Sequence, residues 1–400
     1  MKKIYKMKNV IQNYAWGSID AIPGLLGYQN KSSIPQAELW MGSHRRGTSL
    51  LKTEGQDIPL FEYIKKNTSA VLGEDIASSY SDLPFLFKVL AAGSPLSIQV
   101  HPDKKQAEDG FLKENKKFIP LDAFNRNYKD NNHKPEIICA LTPFWAMSGF
   151  RTFESIIQNF KKINLHSFKN EVEVFADNRT SKGLEHFFSE IMSLEGEKKK
   201  LFITELVSKA KEFDEDTFHW VLKLYETYPD DSAIAAPLYL NLVQLKPGQA
   251  LYLSAGELHA YLDGMGMELM ASSDNVLRGG LTPKYIDREE LKKILNFSGA
   301  DPEILSAGYK IGAVSIYNSP SREFQLSRID VDENYDYLIG EKNRVQILFI
   351  SDGDVVFLSE KGESISAVKG ESLFIPSHAG NWTGRGKAVL FRASVPGDND

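Results

Sequence analysis

The hydrophobic period of this 400-residue chain changes twice, and the changes divide it into β-rich, helical and β-rich parts. Between Arg151 and Tyr228, apolar residues recur at spacings of three and four, which predicts a block of amphipathic helices. On both sides of this block, short apolar runs alternate with polar residues and end at Gly, Pro, Asn or Asp, as is typical of strands and turns. We therefore predict a mainly β protein with an α-helical insert.

A chain of this length is too long for one hydrophobic core, so we expect several domains. The spacing of apolar residues predicts a discontinuous β domain formed by residues 1–150 and 234–308, interrupted by a helical insert of residues 151–233. Residues 309–400 contain short β-rich segments separated by turn residues. They are predicted to form a separate C-terminal β-sandwich or jelly-roll domain.

The composition excludes several classes of function. With 42% hydrophobic and 25% charged residues, the chain is neither disordered nor collagen-like. The net charge is -6 and no basic block exceeds the one around Lys198–Lys200, so we expect no nucleic-acid partner. No apolar stretch reaches about 18 residues and no signal peptide is recognisable, so we expect no membrane partner and a cytoplasmic location. Cys139 is the only cysteine, which excludes an intramolecular disulfide and predicts a buried, inert thiol.

The segment "PLSIQVHPDK", Pro95 to Lys104, carries polar side chains on a strand that is expected to be buried. The longer stretch "PFLFKVLAAGSPLSIQVHPD" contains two apolar runs separated by Ala-Gly-Ser-Pro, which predicts a hairpin with this segment on its second strand. Side chains two residues apart share a face, so Ser97, Gln99 and His101 are predicted to point to the same buried side. Polar groups on a buried face need partners.

Two further residues extend this pattern into a candidate metal site. Pro135 favours an extended backbone before Glu136, which begins an apolar run, and His259 is expected to end a strand after the "SAGEL" turn. With the Gln-x-His pair they supply two imidazoles, a carboxylate and an amide oxygen, a donor set suited to zinc. His133 could compete with Glu136, but side chains three apart on a strand point to opposite faces. Each residue alone is more often structural, so the hypothesis depends on the joint pattern.

A second polar cluster, Gly266 to Asp287, contains Glu268, Arg278 and Lys284. Arg and Lys donate charge-assisted hydrogen bonds to a phosphate or a developing oxyanion, so the cluster indicates a site for an anionic substrate. The alternative is a surface turn with a salt bridge.

A weak internal repeat links the two β regions. The segment "GQALYLSAGELH", which starts at Gly248, resembles the second metal motif of the cupin fold. The segment "GESLFIPSHAGN", which starts at Gly370, has no histidine at the corresponding position. We therefore predict that one barrel binds metal and that the other is structural.

Six segments of the chain resemble, in the same order, the type I mannose-6-phosphate isomerases (phosphomannose isomerases), which are zinc enzymes of the cupin superfamily. The segments are "QNYAWGS", "AELWMGSH", "PLSIQVHPDK", "HKPEIICALTPFWAMSGFR", "LKPGQALYLSAGELHAYL" and "MASSDNVLRGGLTPKYID". The resemblance implies a cupin catalytic domain with a double-stranded β-helix or jelly roll, a helical domain and a C-terminal cupin-like β domain.

The resemblance also implies the composition of the site. One Zn²⁺ per chain is expected, and its implied ligands are Gln99, His101, Glu136 and His259. Arg278 is the implied catalytic arginine. The other residues implied around the sugar phosphate are Ser97, Lys134, Glu268 and Lys284.

The implied activity is the interconversion of D-mannose 6-phosphate and D-fructose 6-phosphate. We expect a hexose 6-phosphate as partner and a chain that is a monomer or weak dimer. The proton moves between C1 and C2 through a cis-enediol, with Glu268 as the first choice of base and a zinc-bound water as the second. Arg278 is expected to stabilise the enediolate, and Lys134 or Lys284 to hold the phosphate. The alternatives are a non-catalytic cupin sugar-phosphate sensor and an iron-dependent cupin oxidoreductase, against which Gln99 counts.

Overall fold

A computed structural model describes residues 4–307, 309–332, 336–339 and 344–397 of the chain. Two large antiparallel sheets and a block of helices form the architecture, as the change of period predicts. The strands before the helical block are β1 (Tyr5–Lys8), β2 (Val10–Gln12), β3 (Glu38–Met41), β4 (Leu50–Leu51), β5 (Ile58–Pro59), β6 (Phe85–Ala92), β7 (Ile98–Val100), β8 (Glu136–Ala140) and β9 (Phe144–Phe150). The helices of this part are α1 (Ala21–Leu25), α2 (Leu60–Lys66), α3 (Thr68–Leu72), α4 (Glu74–Ser79) and α5 (Lys104–Lys116).

The helical block occupies the part of the chain where apolar spacing is three and four. Its helices are α6 (Phe153–Ile163), α7 (Lys169–Asp177), α8 (Ser181–Ser193), α9 (Gly196–Ala210) and α10 (Asp216–Thr227). A short helix, α11 (Ala236–Tyr239), follows the block. The Thr152 hydroxyl caps α6 by accepting a hydrogen bond from the Ser155 N–H at 3.3 Å, which satisfies a free donor of the first turn. Within the described residues, no helix combines the length and apolar character needed to span a bilayer.

The chain returns to strands after the helical block. These elements are β10 (Leu240–Leu245), β11 (Ala250–Leu253), β12 (His259–Ala271), β13 (Leu277–Gly280), helix α12 (Arg288–Ile294) and β14 (Ile304–Leu305). The C-terminal strands are β15 (Tyr309–Ile311), β16 (Val314–Tyr317), β17 (Gln325–Val331), β18 (Tyr337–Ile339), β19 (Gln346–Ser359), β20 (Ser364–Val368), β21 (Ser372–Ile375) and β22 (Trp382–Ser394).

The first sheet has two layers that share the long strand β12. One layer has the order β14-β11-β8-β12-β6-β3-β2, and the other joins β10 to β9 and β13 to β7, with β9 and β7 both paired to β12. Side chains between the layers include Leu90, Ile138, Phe144 and Tyr261, which form a buried cluster. In a jelly roll of this kind, polar residues at the strand termini lie at the open end.

The helical block packs on the layer that carries β7 and β13. Ile98 and Val100 of β7 and Leu277 of β13 are buried in the same core as the helical residues Phe160 and Leu224. The insert therefore supports the outer side of the two strands whose polar residues face the cleft.

The C-terminal sheet packs against the back of the other layer. Phe87 of β6 and Leu269 of β12 share one hydrophobic core with Ile347, Phe374 and Phe391. Strand β1 pairs with β21 in the C-terminal sheet, so the start of the chain completes the sheet formed by its end. The domain boundaries after residues 150, 233 and 308 stay a prediction.

Two local predictions are wrong. Strands β6 and β7 do not form a hairpin, because β6 pairs with β3 and β12 whereas β7 pairs with β12 and β13. The turn between them carries the chain from one layer to the other, and β12 is long enough to pair with both. His259 begins β12 and does not end a strand.

Candidate functional site

Three buried side chains meet at the open end of the jelly roll. The ligand atoms of His101, Glu136 and His259 all lie within 4.8 Å of one another. Each Glu136 carboxylate oxygen faces one ring: His101 Nε2 lies 3.3 Å from Oε1, and His259 Nε2 lies 3.5 Å from Oε2. The cluster arises where three chain segments converge, since Glu136 begins β8, His259 begins β12 and His101 follows β7. The sequence placed these residues up to 158 positions apart on separate strands, and the fold brings them together.

Each histidine ring is oriented by a backbone carbonyl. His101 Nδ1 lies 2.7 Å from the Asn275 carbonyl oxygen, and His259 Nδ1 lies 2.8 Å from that of Glu257. A carbonyl only accepts hydrogen bonds, so Nδ1 carries the proton and Nε2 is directed at Glu136. Among the described residues, His101 Nε2 has no hydrogen-bond partner although it is buried. An unpartnered imidazole nitrogen beside a carboxylate suits a divalent cation.

The charges of the cluster match this arrangement. Burial and the nearby Lys134 lower the pKa of His101 to about 4, so its ring is neutral at neutral pH. Burial alone would raise the pKa of Glu136, but Lys134 and His101 lower it well below its usual value. The Lys134 ammonium lies 2.8 Å from Glu136 Oε1. His101 and Glu136 therefore present a neutral imidazole and a carboxylate, the protonation states that metal binding requires. The pKa of His259 is raised, because the hydrogen bond and charge of Glu136 outweigh the effect of burial.

Gln99 lies between two other predicted site residues. In the sheet register it is directly opposite His259 on β12 and Arg278 on β13. Directly opposite residues of antiparallel strands point to the same face, so the three side chains share the face toward the cleft. Gln99 and Ser97 are half-buried on this side, while Ile98 and Val100 point into the core. The prediction of a buried polar face is correct for His101 only, because Ser97 and Gln99 are half-buried.

A buried ion-pair chain crosses the floor of the site. Lys88 Nζ lies 2.6 Å from Glu268 Oε2 and 3.4 Å from Glu38 Oε1, and all three side chains are less than 10% exposed. Trp40 Nε1 donates to the other Glu38 oxygen at 2.7 Å. Lys88 of β6 is directly opposite Glu268 of β12 and Trp40 of β3. Burial and the nearby carboxylates Glu136 and Glu38 raise the pKa of Glu268 despite the opposing charge of Lys88.

Arg278, Lys129 and Lys284 form a cluster of cations. Burial and the charges of Arg278 and Lys129 lower the pKa of Lys284. Burial and the charges of Arg46 and Arg278 lower that of Lys129. Arg46 is paired with Asp274, whereas the ion pairs found in the described part of the chain include none for Lys129, Arg278 or Lys284. Cations that lie close together without ion-pair partners of their own among the described residues are a candidate site for an anion.

The match to known proteins covers the whole architecture. Residues 4–153 match the family model described as phosphomannose isomerase type I, catalytic domain. Mannose-6-phosphate isomerase of Salmonella typhimurium is 42% identical over 92% of this chain and 94% of its own length. The corresponding protein of Escherichia coli is 40% identical over 97% and 98%. The chain belongs to the type I phosphomannose isomerase family.

Solved structures described as phosphomannose isomerase or mannose 6-phosphate isomerase have the same fold. A crystal structure of a phosphomannose isomerase mutant from Salmonella typhimurium has a TM-score of 0.93 at 38% identity, and covers 98% of this chain and 99% of that chain. A zinc-bound mannose 6-phosphate isomerase has a TM-score of 0.92 at 39% identity, with the same coverage. The predicted cupin fold with a helical insert is thereby confirmed.

Sequence reasoning missed Lys88 and Glu38, which complete the ion-pair chain of this phosphomannose isomerase family member. Both lie in apolar runs, "FLFKVLAA" and "AELWM". A charge in a strand that is buried on both faces needs a partner, and this signal was available in the sequence. The sequence did not show which carboxylate contacts Lys88, because the two residues of the pair lie 180 positions apart.

The alternative metal ligand His133 is directed away from the cluster. It lies before β8, so the alternation of a strand does not apply to it. Its Nε2 atom lies 2.6 Å from Glu323 Oε1, in the segment that leads to β17. Cys139 is buried as predicted, and burial raises the pKa of its thiol to about 11, which keeps it protonated.

Proposed function

We propose that this chain is a zinc-dependent aldose-ketose isomerase that interconverts D-mannose 6-phosphate and D-fructose 6-phosphate. The observation that carries the proposal is the buried His101–Glu136–His259 cluster, with the cation Arg278 on the strand face that Gln99 shares with His259. The family relatives bear the name mannose-6-phosphate isomerase, and a solved structure of one contains zinc. A metal for the sugar oxygens and cations for the phosphate are what such a substrate needs.

We propose Gln99, His101, Glu136 and His259 as the ligands of one Zn²⁺ per chain. The unpartnered His101 Nε2 atom and the shared face of Gln99 and His259 support this set. When bound, zinc would act as a Lewis acid at the oxygens on C1 and C2 of the sugar. Lys134, which already contacts Glu136, would add positive charge beside these oxygens.

The isomerisation requires one proton to leave C2 of the aldose and to arrive at C1 of the ketose. We propose that Glu268 takes the C2 proton to give the cis-enediol and returns it to C1, while a proton moves from the C2 hydroxyl to the C1 oxygen. A carboxylate whose pKa is raised by burial is a stronger base than an exposed one. The Lys88 ammonium would hold this carboxylate in place through its contact at 2.6 Å.

We propose that the cations have two roles, one at the reacting carbons and one at the phosphate. Arg278 lies opposite Gln99 in the register, so it would face the developing enediolate and stabilise its charge. Lys284 and Lys129, which lie farther toward solvent, would bind the phosphate. Ser97 would contribute a hydroxyl from the half-buried start of the strand that carries Gln99.

The test combines metal analysis with a coupled assay of mannose 6-phosphate turnover on one preparation. We expect about one zinc per chain, and turnover that a chelator abolishes and zinc restores. Zinc-loaded protein that binds the sugar phosphate without turnover would instead identify a sensor. Bound iron with oxygen uptake would identify an oxidoreductase.

The assembly and location of the chain are also proposals. We propose a monomer or weak dimer, which sedimentation at several protein concentrations would test. We propose a cytoplasmic location, because the single cysteine is a reduced, buried thiol. Cell fractionation with an antibody against the chain would test it.

A further inference from the structure

The amide of Asn275 is the centre of a buried hydrogen-bond network beside the proposed metal ligands. Its side chain is fully buried, with an exposed fraction of 0%. Its Nδ2 atom donates to the carbonyls of Asp130 at 2.9 Å and Asn132 at 2.8 Å. Its Oδ1 atom accepts from the backbone N–H groups of Lys129 at 2.7 Å and Asp130 at 3.2 Å. One amide thus joins the loop before β13 to residues 129–132.

The Asp130 carboxylate makes a second set of bonds between the same two segments. Oδ2 accepts from the Asp274 N–H at 2.7 Å, and Oδ1 accepts from the Ser273 hydroxyl at 2.8 Å. Oδ1 also accepts from the Asn132 N–H at 2.9 Å, within its own loop. The peptide units around Asn275 are therefore held from both sides.

The backbone carbonyl of Asn275 accepts the hydrogen bond from His101 Nδ1 at 2.7 Å. We propose that Asn275, held by Asp130, is a positioning residue that sets the tautomer and direction of the His101 ring in the zinc site, an inference that rests on the proposed function. If the 272–275 loop could rotate, the carbonyl would leave Nδ1, and the ring could then turn or place its proton on Nε2. Hydrogen-bond partners of ligand histidines raise metal affinity in this way.

The two proposed histidine ligands differ in how their carbonyl partners are held. Glu257, whose carbonyl orients His259, lies in the tight turn between β11 and β12, only two residues before the histidine it orients. Asn275 lies 174 positions after His101, so no local geometry keeps its carbonyl in place. The buried network supplies that constraint.

The experiment measures zinc affinity by competition with a chelator in wild type, Asn275→Ala and Asp130→Asn. We expect the zinc dissociation constant to rise ~10–100-fold in Asn275→Ala and ~10-fold in Asp130→Asn. Ring-nitrogen NMR of the zinc-free proteins provides a second readout. Wild-type His101 should carry its proton on Nδ1, and Asn275→Ala should show a mixture of tautomers.

Asn159→Ala is the matched control, because Asn159 Nδ2 donates to the Leu238 carbonyl at 3.0 Å in the helical block. Its zinc affinity and His101 tautomer should equal those of the wild type. Wild-type zinc affinity in folded Asn275→Ala and Asp130→Asn would overturn the inference, and Asp130→Asn alone decides if Asn275→Ala does not fold. Wild-type protein that binds no zinc would instead overturn the proposed function.

Discussion

Two buried carboxylates, Glu38 and Glu268, share the charge of Lys88. Replacing it with Met leaves Glu38 and Glu268 buried and unpaired, so Lys88→Met should lower the free energy of unfolding by ~3–5 kcal/mol. Urea unfolding measures this change. Lys200→Met is the control, because Lys200 is 73% exposed and pairs with an exposed glutamate. Equal stability of the two variants would contradict the role of Lys88, and adding Glu268→Gln should restore part of the loss.

Variants of Arg278 and His101 should have different effects on metal binding and on the rate of the chemical step. Arg278→Ala removes charge stabilisation of the enediolate but no proposed ligand, so zinc content should be unchanged and kcat should fall ~100–1,000-fold. His101→Ala should lose zinc, because the buried cluster loses a nitrogen donor. Metal analysis and kinetics on both variants measure the difference. Loss of zinc from Arg278→Ala would refute this division.

The solvent-facing cations Lys129 and Lys284 should affect binding of the phosphate more than the chemical step. Each change to Ala removes one charge-assisted contact, so KM should rise ~10-fold with kcat within a factor of about two. The effect should shrink at high salt. Exposed Lys105→Ala should leave KM unchanged. A fall in kcat with constant KM would instead indicate that these residues act at the reacting carbons and not at the phosphate.

At the scale of elements, β12 is the strand that builds the site, because it pairs with both layers of the jelly roll. Its register shifts between Tyr261 and Asp263, where it leaves β9, and from Gly264 onward it pairs with β6. Gly264 has φ +113° there, and a Cβ atom would lie 2.5 Å from the Pro143 carbonyl oxygen. Glycine is therefore required at the point where the strand crosses between layers.

Gly264→Ala should lower the free energy of unfolding by ~2–4 kcal/mol, since backbone strain and a clash with a carbonyl add. Gly362→Ala is the control, because Gly362 also has a positive φ, +83°, but no described residue beyond its chain neighbours lies within 4 Å of the added Cβ. This control substitution should lower the free energy of unfolding by about 1 kcal/mol. Chemical denaturation of both variants compares them, and similar losses would mean that the crossing tolerates a side chain.

At the scale of the whole molecule, the contact between His133 and Glu323 joins the segment before β8 to the C-terminal sheet. Burial alone would raise the pKa of Glu323, but the hydrogen bond and charge of His133 lower it to about 2 from an ordinary value of 4.5. A carboxylate with a lowered folded-state pKa contributes stability above its ordinary pKa and loses it as the pH falls toward the folded value. This contact should therefore stabilise the fold above about pH 4.5.

Glu323→Gln should be less stable than wild type at pH 7, and the difference should shrink as the pH falls from about 4.5 toward 2. Unfolding free energies measured across this range provide the test. Glu62→Gln, on an exposed face of α2, should follow the wild-type pH dependence. A Glu323→Gln difference that stays constant over the same range would show that the ionised carboxylate does not stabilise the fold.

Much of this architecture could be predicted from local pattern, because helix and strand periods are properties of neighbouring residues. The helical insert and the strand that begins at Glu136 follow from such patterns. The cupin fold was implied instead by the resemblance of six segments to a known family, and the solved structures confirm it. The prediction of a β6–β7 hairpin was wrong, because both strands pair with β12 and not with each other. No local signal in the sequence reports this competition between pairing partners.

The residue types "QVH", "HKPE" and "GELH" were enough to propose a metal site, since donor chemistry is carried by side chains alone. Only the tertiary structure decided that Lys88 meets Glu268, that His133 turns to Glu323 and that Asn275 orients His101. The physical reason is that these contacts join residues more than 170 positions apart. Their geometry depends on sheet register and loop packing, which exist only after the chain has folded.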